Sequence, residues 1–196
     1  NLMVTENAQS QNVEDFEKKV TEFTLDNGMH FIIIERHNAL VASFYTHVSV
    51  GGVDEPVGQT GIAPIFEHMA FKGTEYIGTT DWDQEKVLIE KMDKAYKDWL
   101  YTKFDPNASP QELNEKWEKF QQFQEEAKTY VVNNEFSQII QNNGGTGLNA
   151  STSWDYTNYY YSLPSNKAEL WFNLEADRFK NPTFREFYVE KEVVRE

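Results

Sequence analysis

Cysteine is absent from this chain of 196 residues. That excludes disulfides and thiolate metal sites within it. Long apolar runs are absent too; none approaches the roughly 20 residues of a membrane-spanning helix. Basic residues are scarce. Only 18 Lys and Arg stand against 32 Asp and Glu, for a formal net charge of −14. No local Lys/Arg cluster offsets the excess. Such a surface repels phosphate backbones and anionic headgroups, which argues against nucleic-acid binding. The opening run from Asn1 to Asn7 lacks a basic-plus-apolar leader and reads as a mature or trimmed start.

What is present is apolar and aromatic. Apolar residues make up 39% of the chain and aromatics 15%, with fourteen Phe and ten Tyr. A disordered chain does not carry that load. The length suits one globular domain able to bury a core. The middle is more polar than the two ends, so the core is expected mainly from the ends. Residues 1–15 are polar and irregular and read as a flexible lead-in to a domain over 16–196.

The alternating stretch around Phe23-Thr24-Leu25, the turn signal Asp26-Asn27-Gly28 and the run His30 to Glu35 predict a β-hairpin, since Asn-Gly supplies the positive φ of a tight turn. Val41 to Val50 predicts a longer strand, ended by Gly51-Gly52. Thr60 is the expected cap of a helix through Ile62, Ile65, Phe66, Met69 and Phe71, stopped at Lys72-Gly73-Thr74. A charged helical hairpin follows over about 82–130, with helices near 82–103 and 110–130. Ser109-Pro110-Gln111-Glu112 is a capping box with Pro at the first helical position. The hairpin's apolar positions are Val87, Leu88, Met92, Tyr96, Leu100, Trp117, Phe120 and Phe123, expected to pack on the main body. Next come a short helix near Phe136 to Ile140 and a strand pair, Leu148 to Ser153 and Tyr156 to Leu163. A helix from Pro164-Ser165 and a last one from the capping box Pro182 to Glu186 complete the series. Strands, helices, a strand pair and more helices predict an α+β fold: an antiparallel or mixed sheet with helices layered on it.

Chemistry concentrates in Gly61-Ile62-Ala63-Pro64-Ile65-Phe66-Glu67-His68-Met69-Ala70-Phe71-Lys72-Gly73-Thr74. This run resembles the inverted zinc motif H-x-x-E-H, in which two histidines four apart share one helix face and reach one Zn²⁺. The flanking Gly-x-Ala and Phe-Lys-Gly-Thr carry the resemblance, as do Val50-Gly51-Gly52, Glu55 and Gly147-Leu148-Asn149-Ala150-Ser151-Thr152. With them the chain resembles the N-terminal part of the pitrilysin, insulysin and mitochondrial-processing-peptidase family of zinc peptidases. The resemblance covers nearly everything except the lead-in and the 82–130 hairpin, which resembles an insertion seen in some bacterial branches.

That resemblance implies a pitrilysin-like half-domain and assigns roles residue by residue. Glu67 matches the general base and His68 the second zinc histidine. Pro64 stands where the first zinc histidine belongs and offers a metal no lone pair. The family's late helix carries a supporting glutamate, matched by Glu190, and a zinc-binding glutamate, expected just after Glu196 or at Glu196 itself. Asn149, Ala150 and Ser151 match the neighbourhood of a substrate-binding edge strand. His30, His37 and His47 have no ligand spacing.

Three functions follow as expectations. The first is a non-catalytic member that holds peptide or unfolded polypeptide and assembles with a homologous second half or subunit as a clamshell. The second is an active zinc metalloendopeptidase with Glu67 as general base. The third is a purely structural domain. The trimmed-looking start and the family's bacterial branches point to a bacterial periplasm or secretion.

Overall fold

The structure is a computed structural model that describes residues 16–195. The expected lead-in, 1–15, and Glu196 lie outside the described residues. The chain groups into two compact units divided between Leu40 and Val41.

The first unit is the expected hairpin. β1 (Val20–Thr24) pairs antiparallel with β2 (His30–Ile34), from Val20 opposite Ile34 to Thr24 opposite His30. Gly28 adopts φ 87° in the connection. Asn27 Oδ1 accepts from the Met29 N–H at 3.1 Å, and the Leu25 N–H donates to the Met29 carbonyl at 2.9 Å. Phe23 and Phe31, opposite each other in register, stack with centroids 5.1 Å apart.

The second unit is built on a three-stranded antiparallel sheet ordered β3–β5–β4: β3 (Val41–Val48), β4 (Thr146–Thr152) and β5 (Thr157–Pro164). Period-two alternation decides its faces. On one face Phe44 stacks on Trp171 at 4.7 Å, and Tyr159, Tyr161 and Leu163 are buried. On the other, Tyr45 stacks on Tyr160 at 6.0 Å. Gly147, at φ 69°, lies where the β4–β5 register shifts between Thr146 and Asn149, a β-bulge. Gly51 and Gly52 do more than end β3. Their loop bonds to the β4–β5 turn through Gly52 N–H to the Ser153 carbonyl (3.0 Å) and Val53 N–H to the Trp154 carbonyl (2.7 Å). A Cβ on Gly51 would sit 2.5 Å from the Ser153 oxygen, so only glycine fits.

The helices are α1 (Ile62–Met69), α2 (Trp82–Lys103), α3 (Pro110–Lys128), α4 (Glu135–Asn142), α5 (Ala168–Lys180) and α6 (Phe187–Arg195). The α2–α3 hairpin matches the sequence reading closely. Ser109 Oγ accepts from the Glu112 N–H at 3.1 Å, with Pro110 opening α3. Glu112 itself pairs with Lys116 at 3.1 Å. The hairpin's core is Met92, Ala95 and Phe120, flanked by Ile89, Tyr96, Trp117 and Phe123. It docks on α6 through Tyr188, whose ring lies 4.4 Å from Tyr96 and whose hydroxyl donates to Asp93 Oδ1 at 2.9 Å. Val87 and Leu100, expected in this seam, are exposed instead.

Two helix starts differ from expectation. Thr60 does not cap α1. Gly61 does, at φ 97°, and the Glu55 carboxylate accepts from the Gly61 and Ala63 N–H groups at 3.0 and 2.8 Å. A distant carboxylate thus supplies what a local cap would, and favours the helix dipole. Nor does the run 182–186 form a capping box. Thr183 and Arg185 are buried, Glu186 takes φ 58°, and α6 begins at Phe187.

Burial raises the pKa of three tyrosines. Tyr159 is pushed up to about 12 by desolvation, against the lowering pull of Arg178. Tyr161 rises by desolvation with Glu175 adding, and Tyr188 by desolvation with Asp93 adding. Raised folded values mean that this stabilisation is complete below the unfolded pKa of about 10 and is lost as pH climbs through the folded values. The melting temperature is therefore expected to fall steeply above about pH 10. Circular-dichroism melts across that range check it. Tyr161→Phe should flatten the decline, and an equally steep decline in that variant would count against the assignment.

Candidate functional site

The site is built on α1, whose sequence permits a helix despite its proline. Pro64 is the third helical residue. The first intrahelical bond runs from the Ile65 N–H to the Gly61 carbonyl, so Pro64 removes no backbone bond. Glu67 and His68 follow on the next turn and meet different neighbours. Glu67 Oε2 accepts from Thr152 Oγ1, at the end of β4, at 2.5 Å. The Thr157 hydroxyl beside Thr152 donates to the Val50 carbonyl at 3.0 Å. Glu67 is thereby tied to the hairpin end of the sheet.

His68 faces α6. Its Nδ1–H donates to Glu190 Oε2 at 2.8 Å. In a neutral ring this arrangement leaves the lone pair on Nε2. The other Glu190 oxygen lies 2.7 Å from Lys72 Nζ, and Lys72 also reaches Glu186 Oε2 at 2.9 Å. Burial favours the neutral forms of both groups, but their mutual bonds outweigh it. Lys72 ends raised, through Glu190 and Glu186, and Glu190 ends lowered, through Lys72 and His68. A cavity of about 250 Å³ opens beside them, lined by His68, Lys72 and Glu190 together with Asn133, Asn134 and Phe136.

Asn149, Ala150 and Ser151 lie on β4, opposite Tyr160, Tyr159 and Asn158. β4 is an edge of its sheet among the described residues. Asn149 Oδ1 accepts from the Ala150 N–H at 2.9 Å. The remaining histidines stand apart: His47 bonds Asn158 at 2.8 Å, His30 bonds Thr24 at 3.0 Å, and His37 lies 3.5 Å from Glu35. The structure therefore brings His68 and Glu190 together, while Glu67 is held on the sheet side by Thr152. Lys72, Glu186 and Thr152 were missed by sequence reasoning. The Glu186–Glu190 spacing, one helical turn, was the available signal for Glu186.

A catalytic zinc site takes three protein ligands and a water. Here Pro64 has no donor, His68 offers one imidazole nitrogen, and both nearby carboxylates are engaged, Glu67 by Thr152 and Glu190 by His68 and Lys72. No group of three His, Asp or Glu side chains suited to a metal forms among the described residues. Among the described residues this set supplies a single zinc donor, His68; the ligand expected just after Glu196, or at Glu196 itself, lies outside them.

Residues 122–196 match the family model described as insulinase (Peptidase family M16). No curated protein sequence gives a significant match. A crystal structure of a protease from Helicobacter pylori aligns at 21% identity and TM-score 0.58, covering 89% of this chain and 29% of that one. Pitrilysin aligns at 18% identity and TM-score 0.53, covering 88% of this chain and 13% of that one. The chain thus spans less than a third of either protein. It resembles the pitrilysin and insulinase family in its α+β fold over most of its length and in its sequence over the C-terminal part. The matched segment contains Asn149, Ala150, Ser151 and Glu190. The motif with Pro64, Glu67 and His68 precedes it.

Proposed function

We propose that this chain belongs to a non-catalytic member of the pitrilysin-like proteins, a pseudoenzyme that holds peptide and assembles with a homologous second half or subunit. Pro64 carries the reading. It occupies the position from which a second imidazole would reach a shared metal, one turn before His68, and its ring has no donor. Glu67 remains as a carboxylate bonded to Thr152, without a metal-bound water to deprotonate. Peptide is the proposed ligand because β4 carries Asn149, Ala150 and Ser151 on a sheet edge. An extended chain added there takes affinity from main-chain hydrogen bonds and preference from side-chain pockets. No helix among the described residues is long and apolar enough to cross a membrane.

Zinc content tests the proposal. The natural protein is expected to carry no stoichiometric zinc after exposure to it. Pro64→His is expected to bind zinc at least about 10- to 100-fold more tightly, the scale on which even a supporting residue changes affinity. Chelator-removable, near-stoichiometric zinc in the natural protein would sink the reading and favour an active metalloendopeptidase with Glu67 as base. Peptidase activity abolished by Glu67→Gln would then locate the chemistry.

A further inference from the structure

The α2–α3 hairpin docks on α6 through Asp93 and Tyr96, well short of its far end. The part beyond that dock is ordered all the same. Trp99 rests against Trp117 with centroids 4.7 Å apart, and Lys103 lies 4.8 Å from the Trp99 ring. Lys116 Nζ donates to buried Thr102 Oγ1 at 2.6 Å and ties α3 to α2. Asp105 closes the turn: its side chain accepts from the Asn107 N–H at 2.9 Å and its carbonyl from the Ala108 N–H at 3.2 Å.

On this rigid end two large rings are left in solvent. Tyr101 is 78% and Phe104 77% exposed, three residues apart, with exposed Leu100 beside them. None of the three belongs to the hairpin's core. Aromatic side chains on a preordered surface lose little entropy when covered and are common anchors of protein contacts.

Charge selects the partner. The chain carries −14, yet the stretch from Lys91 to Lys119 has six lysines and six acidic residues. The far half of the hairpin is thus a neutral end on a strongly anionic molecule. A basic partner would be drawn to the acidic remainder of the chain instead. Two copies of the chain repel each other except where such neutral ends meet.

We infer that the tip of the α2–α3 hairpin is a self-association surface, on which Tyr101 and Phe104 of one copy pack against the same residues of a second copy. The contact is isologous. Four rings bury at most roughly 600–1,000 Å², less than the roughly 1,200 Å² at which standard interfaces begin. The dimer is therefore weak, with a dissociation constant of roughly 10–100 µM. This pairing goes beyond the peptide-holding reading, and zinc content does not bear on it.

Sedimentation equilibrium of the full chain, at concentrations bracketing about 10–100 µM, tests it. A monomer–dimer equilibrium is expected. It should tighten between about 0.05 and 0.5 M salt, as screening removes the repulsion between the anionic bodies. Tyr101→Ser combined with Phe104→Ser should weaken it at least about tenfold, with the melting temperature unchanged. A natural protein that stays monomeric, or a double variant that dimerises as tightly, overturns the inference. So does a dimer that weakens with salt, which would rest on ion pairs. Monomeric protein that binds phosphatidylcholine vesicles, and loses that binding in the double variant, overturns it in favour of a lipid surface. Should the double variant not fold, the cysteine-free chain offers a second test. Asn107→Cys at the tip and Glu169→Cys on α5 both replace exposed residues. Under mild oxidation Asn107→Cys should form a disulfide-linked dimer faster than Glu169→Cys, and equal rates overturn the inference.

Discussion

Replacing Arg185 with Met is expected to destabilise this protein by about 3–5 kcal/mol. Arg185 is 1% exposed. Its guanidinium grips Glu85 with two bonds, Nε to Oε1 at 2.6 Å and Nη2 to Oε2 at 2.9 Å. It also donates to the carbonyls of Lys72 (2.6 Å), Ile77 (3.0 Å) and Thr74 (3.1 Å). One side chain therefore ties the start of α2, the 72–78 loop and the entry to α6. Removing it strands a buried carboxylate and three carbonyls, and unpaired buried groups cost more than the pair contributes. Total stabilities run at about 5–15 kcal/mol, so much of the margin goes. The melting temperature should drop by roughly 10 °C or more. Glu85→Gln, which keeps one acceptor, should cost clearly less. Gly78→Ala should approach the Arg185 effect, since a Cβ there would lie 2.6 Å from Arg185 Nη1 and 2.8 Å from the Lys72 carbonyl, at a φ of 90°. A near-native melt for Arg185→Met would refute this account.

The second large effect is expected at Glu175. This buried carboxylate accepts from Arg178 Nη2 at 2.6 Å and from Thr46 Oγ1 at 2.8 Å. It is the acceptor for a guanidinium whose Nε and Nη1 have no hydrogen-bond partner among the described residues. Four rings surround that guanidinium: Tyr159 at 4.4 Å, Phe179 at 5.2 Å, Phe136 at 5.3 Å and Phe71 at 5.9 Å. Their π faces favour the cation but do not replace its counter-charge. Glu175→Leu should therefore cost about 3–5 kcal/mol by leaving the charge unpaired. The double change Glu175→Leu with Arg178→Met should cost less than Glu175→Leu alone, because the aromatic box then encloses an apolar side chain. A urea-denaturation double-mutant cycle reads the coupling. Additive losses would show that the two residues act separately.

Local signals carried much of this fold. The Asn27-Gly28 turn, the alternation of β3, the Ser109-Pro110 start of α3 and the strand pair around Trp154 depend on backbone preferences and on period-two or 3.6 patterning. Those act within a few residues and are legible in order along the chain. The helix starts near Thr60 and Pro182 were misplaced for the opposite reason. Residue types that suit a local cap were present, but Glu55 took over at α1, and the burial of Thr183 and Arg185 displaced the start of α6. Val87 and Leu100 have helical spacing, yet the seam of α2 was narrower than the apolar stripe.

The candidate site divides along the same line. That Pro64 has no metal donor, that Glu67 and His68 are adjacent in the chain, and that the chain has no thiolate to replace a histidine are facts of covalent composition. They hold in any fold. Which carboxylate stands behind His68, that Lys72 holds it, and that Thr152 holds Glu67 are set by residues 85 to 122 positions apart in the chain. Hydrogen bonds of that kind leave no periodicity to read. They exist only once the sheet, α1 and α6 are packed, when burial makes an unpaired charge costly enough to select its partner.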